Sequence, residues 1–291
     1  MTPAFERQTD SPLFPDILWN RPAMKSRGGR LLVLGGQTHQ FNNLQATYEV
    51  AEAAGIGEVD IVMPDSLRAT AGRSGLGRFV PSSPSGSLGK AALGEILHLA
   101  GETDAVVIGA NLTNNAETGM MIESLIRELD TRVIITEEAF EILQFHPELI
   151  TGNPKALVVT TMRGLFDLAN HHRMPIAIKP NAGVIGKLEI LQQLASISKS
   201  QYLVFDREVM VAAEDKLSLT PLQTSLASLP AAAIGVAATF WVQQPGKLFQ
   251  TLTTAAYVLS AAASAADKDE TAPTYASLSR QIEAALRQHE H

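Results

Sequence analysis

The sequence predicts an α/β protein, a three-layer α/β/α arrangement built on a mostly parallel central sheet. Four segments carry this expectation: RLLVLGG (30–36), DAVVIGANL (104–112), RVIITEE (132–138) and ALVVTT (156–161). Each is apolar at successive positions, stops at small or polar residues and is followed by a helix-like stretch. A strand with one wet face would alternate polar and apolar residues. Strands in the middle of a parallel sheet, covered by helices on both sides, are apolar on both faces. In open α/β sheets ligands bind beyond the carboxyl ends of the strands. A site is therefore expected at residues 35–43, 110–115, 136–138 and 160–164.

The remaining elements follow in order. Residues 1–29, with four prolines and a Gly-Gly end, read as an extended arm in which Phe14, Leu18 and Trp19 pack onto the domain. A helix is expected at 41–54 and a strand at 57–64. Residues 65–88, rich in Gly, Pro and Ser, read as a mobile surface loop, either a lid or a plain insertion. Helices follow at 88–100, 115–129, 138–143 and 162–171, a strand at 174–179 and a helix at 187–195. Segments 202–206 and 208–213 resemble an antiparallel edge hairpin. The Ala- and Leu-rich stretch 226–287 reads as three helices, broken near 245–246 and 267–273. No internal boundary is evident, so residues 30–291 are expected to form one domain.

Bulk properties narrow the function. A chain of 291 residues with 45% hydrophobic and 18% charged content is an ordinary globular protein with a substantial core. A net charge of −7 argues against nucleic acid or an anionic membrane as the main partner. The absence of cysteine excludes disulfides, thiolate metal sites and a cysteine nucleophile. No run reaches the roughly 18 apolar residues of a membrane span. Glu6 and Asp10 interrupt any export-signal pattern, and a cytoplasmic location is expected.

Nucleotide signatures are missing. Around Gly89-Lys90 the earlier glycine of a phosphate loop is absent and Ala91 replaces the hydroxyl residue. The first strand ends Gly35-Gly36-Gln37, without the third glycine of a dinucleotide fingerprint. Gly36 permits either close ligand approach or a purely structural tight turn. Adjacent His171 and His172 point about 100° apart on a helix and do not chelate one metal. No metal ligand set is assigned.

Three groups remain as site candidates. Glu137 and Glu138 suit magnesium or acid–base chemistry, or else neutralise a helix N-terminus. Asn111, Thr113, Asn114 and Asn115 form a polar cluster suited to ribose, sugar or amide recognition, with N-capping by Thr113 or Asn114 accounting for one of them. Asn43 and Thr160 lie in the same strand-end segments. Asp206, within Asp206-Arg207-Glu208, reads as a charged hairpin turn and as a third carboxylate for a working enzyme.

The order of these runs resembles the ribokinase-like fold, and over roughly residues 24–265 the ADP/ATP-dependent NAD(P)H-hydrate dehydratases. KSRGGRLLVLGG is similar to that family's opening, and DAVVIGANLTNN to its Asp-Ala-x-Val-Ile-Gly-Pro-Gly-Leu-Gly, with Asn111 in place of the second glycine of Gly-Pro-Gly. LVVTTMRGLFDL falls on its Leu-Thr-Pro-His-Pro-Gly-Glu-Phe segment, keeping Thr160, Gly164 and Phe166 while Met162 and Leu165 replace the histidine and glutamate. IAIKP matches its Val-Leu-Lys-Gly strand at Lys179.

The family's Gly-Gly-Thr-Gly-Asp segment opens a helix, its amides holding phosphates and its aspartate moving a proton. Here the corresponding stretch is ASLPAAAIG, residues 227–235. Only Gly235 survives; Ala231 stands at the aspartate position, and Pro230 removes an N–H donor.

The resemblance thus implies a diverged protein that binds a nucleotide, ADP or ATP with magnesium, or another small molecule, with the usual aspartate and anion hole replaced. Gly36, Asn43, Asn111, Thr113, Asn114, Thr160, Lys179 and Gly235 would line the ligand. Two alternatives stay open. One is a working dehydratase or small-molecule kinase using Glu137, Glu138 or Asp206. The other is a non-catalytic subunit of a homo-oligomer, as the family often assembles into tetramers.

Overall fold

In the computed structural model, residues 3–38, 40–72, 75, 77–143, 145–171, 182–222, 229–269 and 274–289 are described. The expected strand at 174–179, with Lys179, and also His172 lie outside them. The chain runs through β1 (Glu6–Arg7), α1 (Pro15–Trp19), β2 (Arg30–Gly35), α2 (Asn42–Ala53), β3 (Glu58–Pro64), α3 (Arg68–Ala71), β4 (Arg78–Val80), α4 (Leu93–Ala100), β5 (Ala105–Ala110), α5 (Ala116–Glu128) and β6 (Arg132–Thr136). It continues through α6 (Glu138–Ile142), α7 (Glu148–Thr151), β7 (Ala156–Thr161), α8 (Met162–His171), α9 (Val184–Ile197), β8 (Gln201–Phe205), β9 (Glu208–Ala213), β10 (Lys216–Pro221), α10 (Leu229–Gln243), α11 (Leu248–Asp269) and α12 (Tyr275–Arg287).

The described strands form one sheet in the order β1-β10-β9-β8-β7-β6-β5-β2-β3-β4. From β4 to β8 all neighbours are parallel. The two-faced apolar runs explain why. Along β2, Leu31 and Val33 enter one core with α2, α10, α11 and α12, while Leu32 and Leu34 enter a second core with α4, α5 and α8. In β5, Ala105 and Val107 face the first core, and Val106 and Ile108 the second. Each parallel strand thus buries alternate residues on opposite sides, the signature of a three-layer sandwich.

The far side of the sheet differs from expectation. β8 and β9 do form an antiparallel hairpin, but β10 and β1 lie beyond them, so the hairpin is internal. The turn into β10 is made by Glu214 and Asp215, at φ 51° and 59°, without a glycine to announce it. A two-residue turn with both φ positive matches the twist of a hairpin. Residues 65–88 are also more than a loop, since β4 extends the sheet beside β3. The segment is tied down by Ser66 Oγ donating to the Gly86 carbonyl (2.7 Å) and by the Ser82 N–H donating to Asp65 (3.1 Å).

In the N-terminal arm, Leu18 is buried and Phe14 meets Phe249 edge-to-face at 6.0 Å, as expected. Trp19 is instead 64% exposed. The neighbouring residue on a helix points about 100° away, and α1 has only one face on the core. No described helix is long and apolar enough to cross a membrane.

Gly235 sits inside α10 where that helix crosses α2. A Cβ added there would lie 2.8 Å from Val50 Cγ1 and 3.0 Å from the Thr47 carbonyl oxygen. The glycine therefore permits close helix–helix packing. Helix propensity alone predicts that Gly235→Ala stabilises the protein by about 1 kcal/mol. Overpacking against Val50 costs about 1–3 kcal/mol, so urea denaturation is expected to show a net loss of stability.

Candidate functional site

A cleft of about 490 Å³ opens at the carboxyl ends of β5, β6, β7 and β8. Its floor comes from Gly109, Ala110, Thr136, Val159, Thr160 and Phe205, and one wall from Pro230, Ala231 and Ile234 at the start of α10. Gly109 is at φ 117°, and an added Cβ would stand 2.0 Å from Thr136 Oγ1. The Thr136 hydroxyl instead donates to the Gly109 carbonyl at 2.8 Å, locking the ends of β5 and β6 together.

Glu137 and Glu138 both line this cleft. Neither caps its own helix. The Glu137 carboxylate reaches across to β7, accepting from the Thr161 N–H (3.1 Å), the Thr161 hydroxyl (2.7 Å) and the Thr160 hydroxyl (3.2 Å). The Thr161 hydroxyl in turn accepts from the Gly164 N–H at 2.9 Å, so Glu137 supports the N-terminus of α8 through Thr161. A Cβ at Gly164 would fall 2.4 Å from the Glu137 carboxyl carbon, which gives this glycine a structural reason.

Glu138 points the other way. One carboxylate oxygen accepts from Asn43 Nδ2 at 3.0 Å, and the other from the backbone N–H groups of Asn111 and Leu112. Burial pushes this carboxyl above the usual glutamate range. The three hydrogen bonds pull it back only in part, and the neighbouring Glu137 charge adds to the rise.

The predicted polar cluster divides. Asn111 adopts the left-handed conformation, φ 59°, which asparagine tolerates better than most residues; this accounts for asparagine where the resembled family has glycine. Its side chain accepts from the Asn43 N–H at 2.8 Å, capping the start of α2. Asn43 is thus held between Asn111 and Glu138, and Tyr275 of α12 contacts its Oδ1 at 3.5 Å. Asn114 lines the cleft, 3.5 Å from Glu141. Thr113 turns away, its hydroxyl bonded to Gln37 and its N–H to Ser87 Oγ. The cap of α5 is neither Thr113 nor Asn114 but Asn115, whose side chain accepts from the Thr118 N–H at 2.9 Å.

Three further candidates stand outside the cleft lining. Gly36, at φ 90°, makes the turn after β2, where a Cβ would meet Leu67 at 2.7 Å. Gly235 packs on α2. Asp206 forms an ion pair with Lys187 at 2.6 Å, and Lys187 also meets Glu208 at 3.2 Å. Burial acts to lower the Lys187 pKa, but these two partners outweigh it and hold the ammonium above its ordinary value. The hairpin-turn reading fits Asp206 better than a place among the cleft carboxylates.

Sequence reasoning missed Phe140, Glu141, Asp167 and Phe205, all of which line the cleft. Glu141 carried a usable signal, because it lies four residues after Glu137 and shares its helix face. Asp167 and Phe205 arrive from other elements and had none.

No known protein-family profile matches the chain. A bifunctional NAD(P)H-hydrate repair enzyme from Moorella thermoacetica is 24% identical over 139 residues, 47% of this chain. The match spans only 26% of that relative's length. Among solved structures, a ribokinase-like superfamily protein from Enterococcus faecalis superposes with a TM-score of 0.79 at 14% identity, covering 98% of this chain and 96% of the other. An ADP/ATP-dependent NAD(P)H-hydrate dehydratase from Bacillus subtilis, co-crystallised with ATP and magnesium, gives 0.67 at 12% identity over 97% of this chain and all of the other. The expected architecture is therefore correct: the chain has the ribokinase-like fold.

Proposed function

We propose that the protein is a diverged NAD(P)H-hydrate dehydratase-like protein that binds a small molecule in the cleft, with the usual catalytic aspartate and phosphate cradle replaced. One observation carries this reading: Pro230 and Ala231 line the cleft at the first turn of α10. Helix N-termini hold anions through free N–H groups. Proline offers none, and alanine has no carboxylate to move a proton. ADP or ATP with magnesium is the ligand the resemblance implies, and its phosphates would be held weakly here. Calorimetric titration with ADP, ATP and NADPH, alongside an assay on hydrated NADPH, tests the reading; clear turnover would end it.

A working enzyme is the second reading, and Glu138 favours it. It lines the cleft, and burial raises its proton affinity above that of an ordinary glutamate, the direction that favours a general acid. In that case Glu138→Gln abolishes turnover of hydrated NADPH, whereas Asp206→Asn, outside the cleft lining, leaves it in place.

Two measurements separate these ideas from the background. Pro230→Gly returns one N–H, and a hydrogen bond contributes about 0.5–1.5 kcal/mol. Affinity for magnesium-ADP is expected to rise about twofold to tenfold by calorimetry; no change would remove the start of α10 as an anion site. The second concerns pH. A carboxyl raised by folding penalises the folded state once it ionises, so that cost is absent at acid pH and complete above the raised value. Urea denaturation from about pH 4 to about pH 7 should therefore show the stability of wild type falling relative to Glu138→Gln as pH increases. A pH-independent difference would contradict the raised value.

A further inference from the structure

We propose that the cleft selects an organic cation with an apolar body, of the alkyl- or arylammonium kind, over a free polyanion. This rests on the reading of the cleft as a ligand site. Its described lining contains four carboxylates, Glu137, Glu138, Glu141 and Asp167, and no lysine, arginine or histidine.

The partners of the two inner carboxylates sharpen the point. Glu137 is held by two threonine hydroxyls and a backbone N–H, and Glu138 by a carboxamide and two backbone N–H groups. All these donors are neutral. They fix the carboxylates in place without cancelling their charge. Among the described residues, the nearby cations do not cancel it either. Lys187 is committed to Asp206 and Glu208. Arg163 lies 3.9 Å from Asp167 with its side chain 90% exposed, where solvent screens the pair. A cation entering the cleft would relieve the repulsion between consecutive carboxylates, and an anion would add to it.

The other walls define the body of the ligand. Val159, Phe205 and Ile234 present apolar surface. About 490 Å³ is room for a small aromatic or branched amine. A divalent metal fits less well. It needs about six oxygen ligands, and no three acidic or histidine side chains among the described residues are grouped to hold one.

The test is calorimetry on the full chain with three probes of nearly equal shape: phenethylammonium, phenylacetamide and phenylacetate, with magnesium-ATP as a fourth arm. The expected result is that the ammonium binds about tenfold or more tightly than the amide, and the carboxylate more weakly still. The preference should shrink as sodium chloride is added. The double variant Glu141→Gln/Asp167→Asn, at exposed rim positions, should lower ammonium affinity about twofold to fivefold and leave the amide unchanged. If the amide or phenylacetate matches the ammonium, or magnesium-ATP binds more tightly than all three, the cation preference is overturned while the cleft stands as a ligand site. If none of the four binds, the cleft reading fails and this inference fails with it.

Discussion

Two carboxylates at the end of β6 hold the mouth of the sheet together. Glu138 joins the residue 111–112 backbone to Asn43 at the start of α2, and Glu137 joins α6 to the turn from β7 into α8. Three connections that are distant in sequence thus meet on consecutive side chains. Buried or half-buried backbone N–H groups must find acceptors, and here they find them on glutamates. The same residues that shape the cleft also give it its charge.

This double duty constrains any chemistry. A carboxylate that accepts several fixed hydrogen bonds is well oriented but less free to move. Glu138 combines that restraint with a raised proton affinity, because burial outweighs its donors. Across the cleft, the first turn of α10 carries Pro230, which lacks one of the backbone N–H donors of a helix start, and Ala231. The described lining of the cleft carries four carboxylates and no basic side chain.

Much of this was legible in the sequence. The runs in β2, β5, β6 and β7 declared a buried parallel sheet because both faces were apolar, and α8 begins at Met162 as its pattern indicated. The position of Glu137 and Glu138 at a strand's carboxyl end, where ligands bind in this architecture, pointed to the cleft they line. Their partners were not legible, because neither one caps its own helix. β10 escaped notice because a Glu-Asp turn carries no glycine signal. Trp19 was misplaced because a short helix at the surface leaves one side wet.

Sequence alone determined the layering, since the period of apolar residues reports which faces are buried and this is a local property of each strand. It also indicated four of the segments that reach the cleft, those containing Asn43, Ala110, Thr136 and Thr160. Tertiary structure decided what those segments do there. It turned Asn111 and Asn43 into mutual partners, sent Thr113 towards Gln37, set Gly235 against Val50 and brought Asp167 and Phe205 to the cleft. Such pairings depend on the distance between elements far apart in the chain, and no local pattern of residue types records that distance.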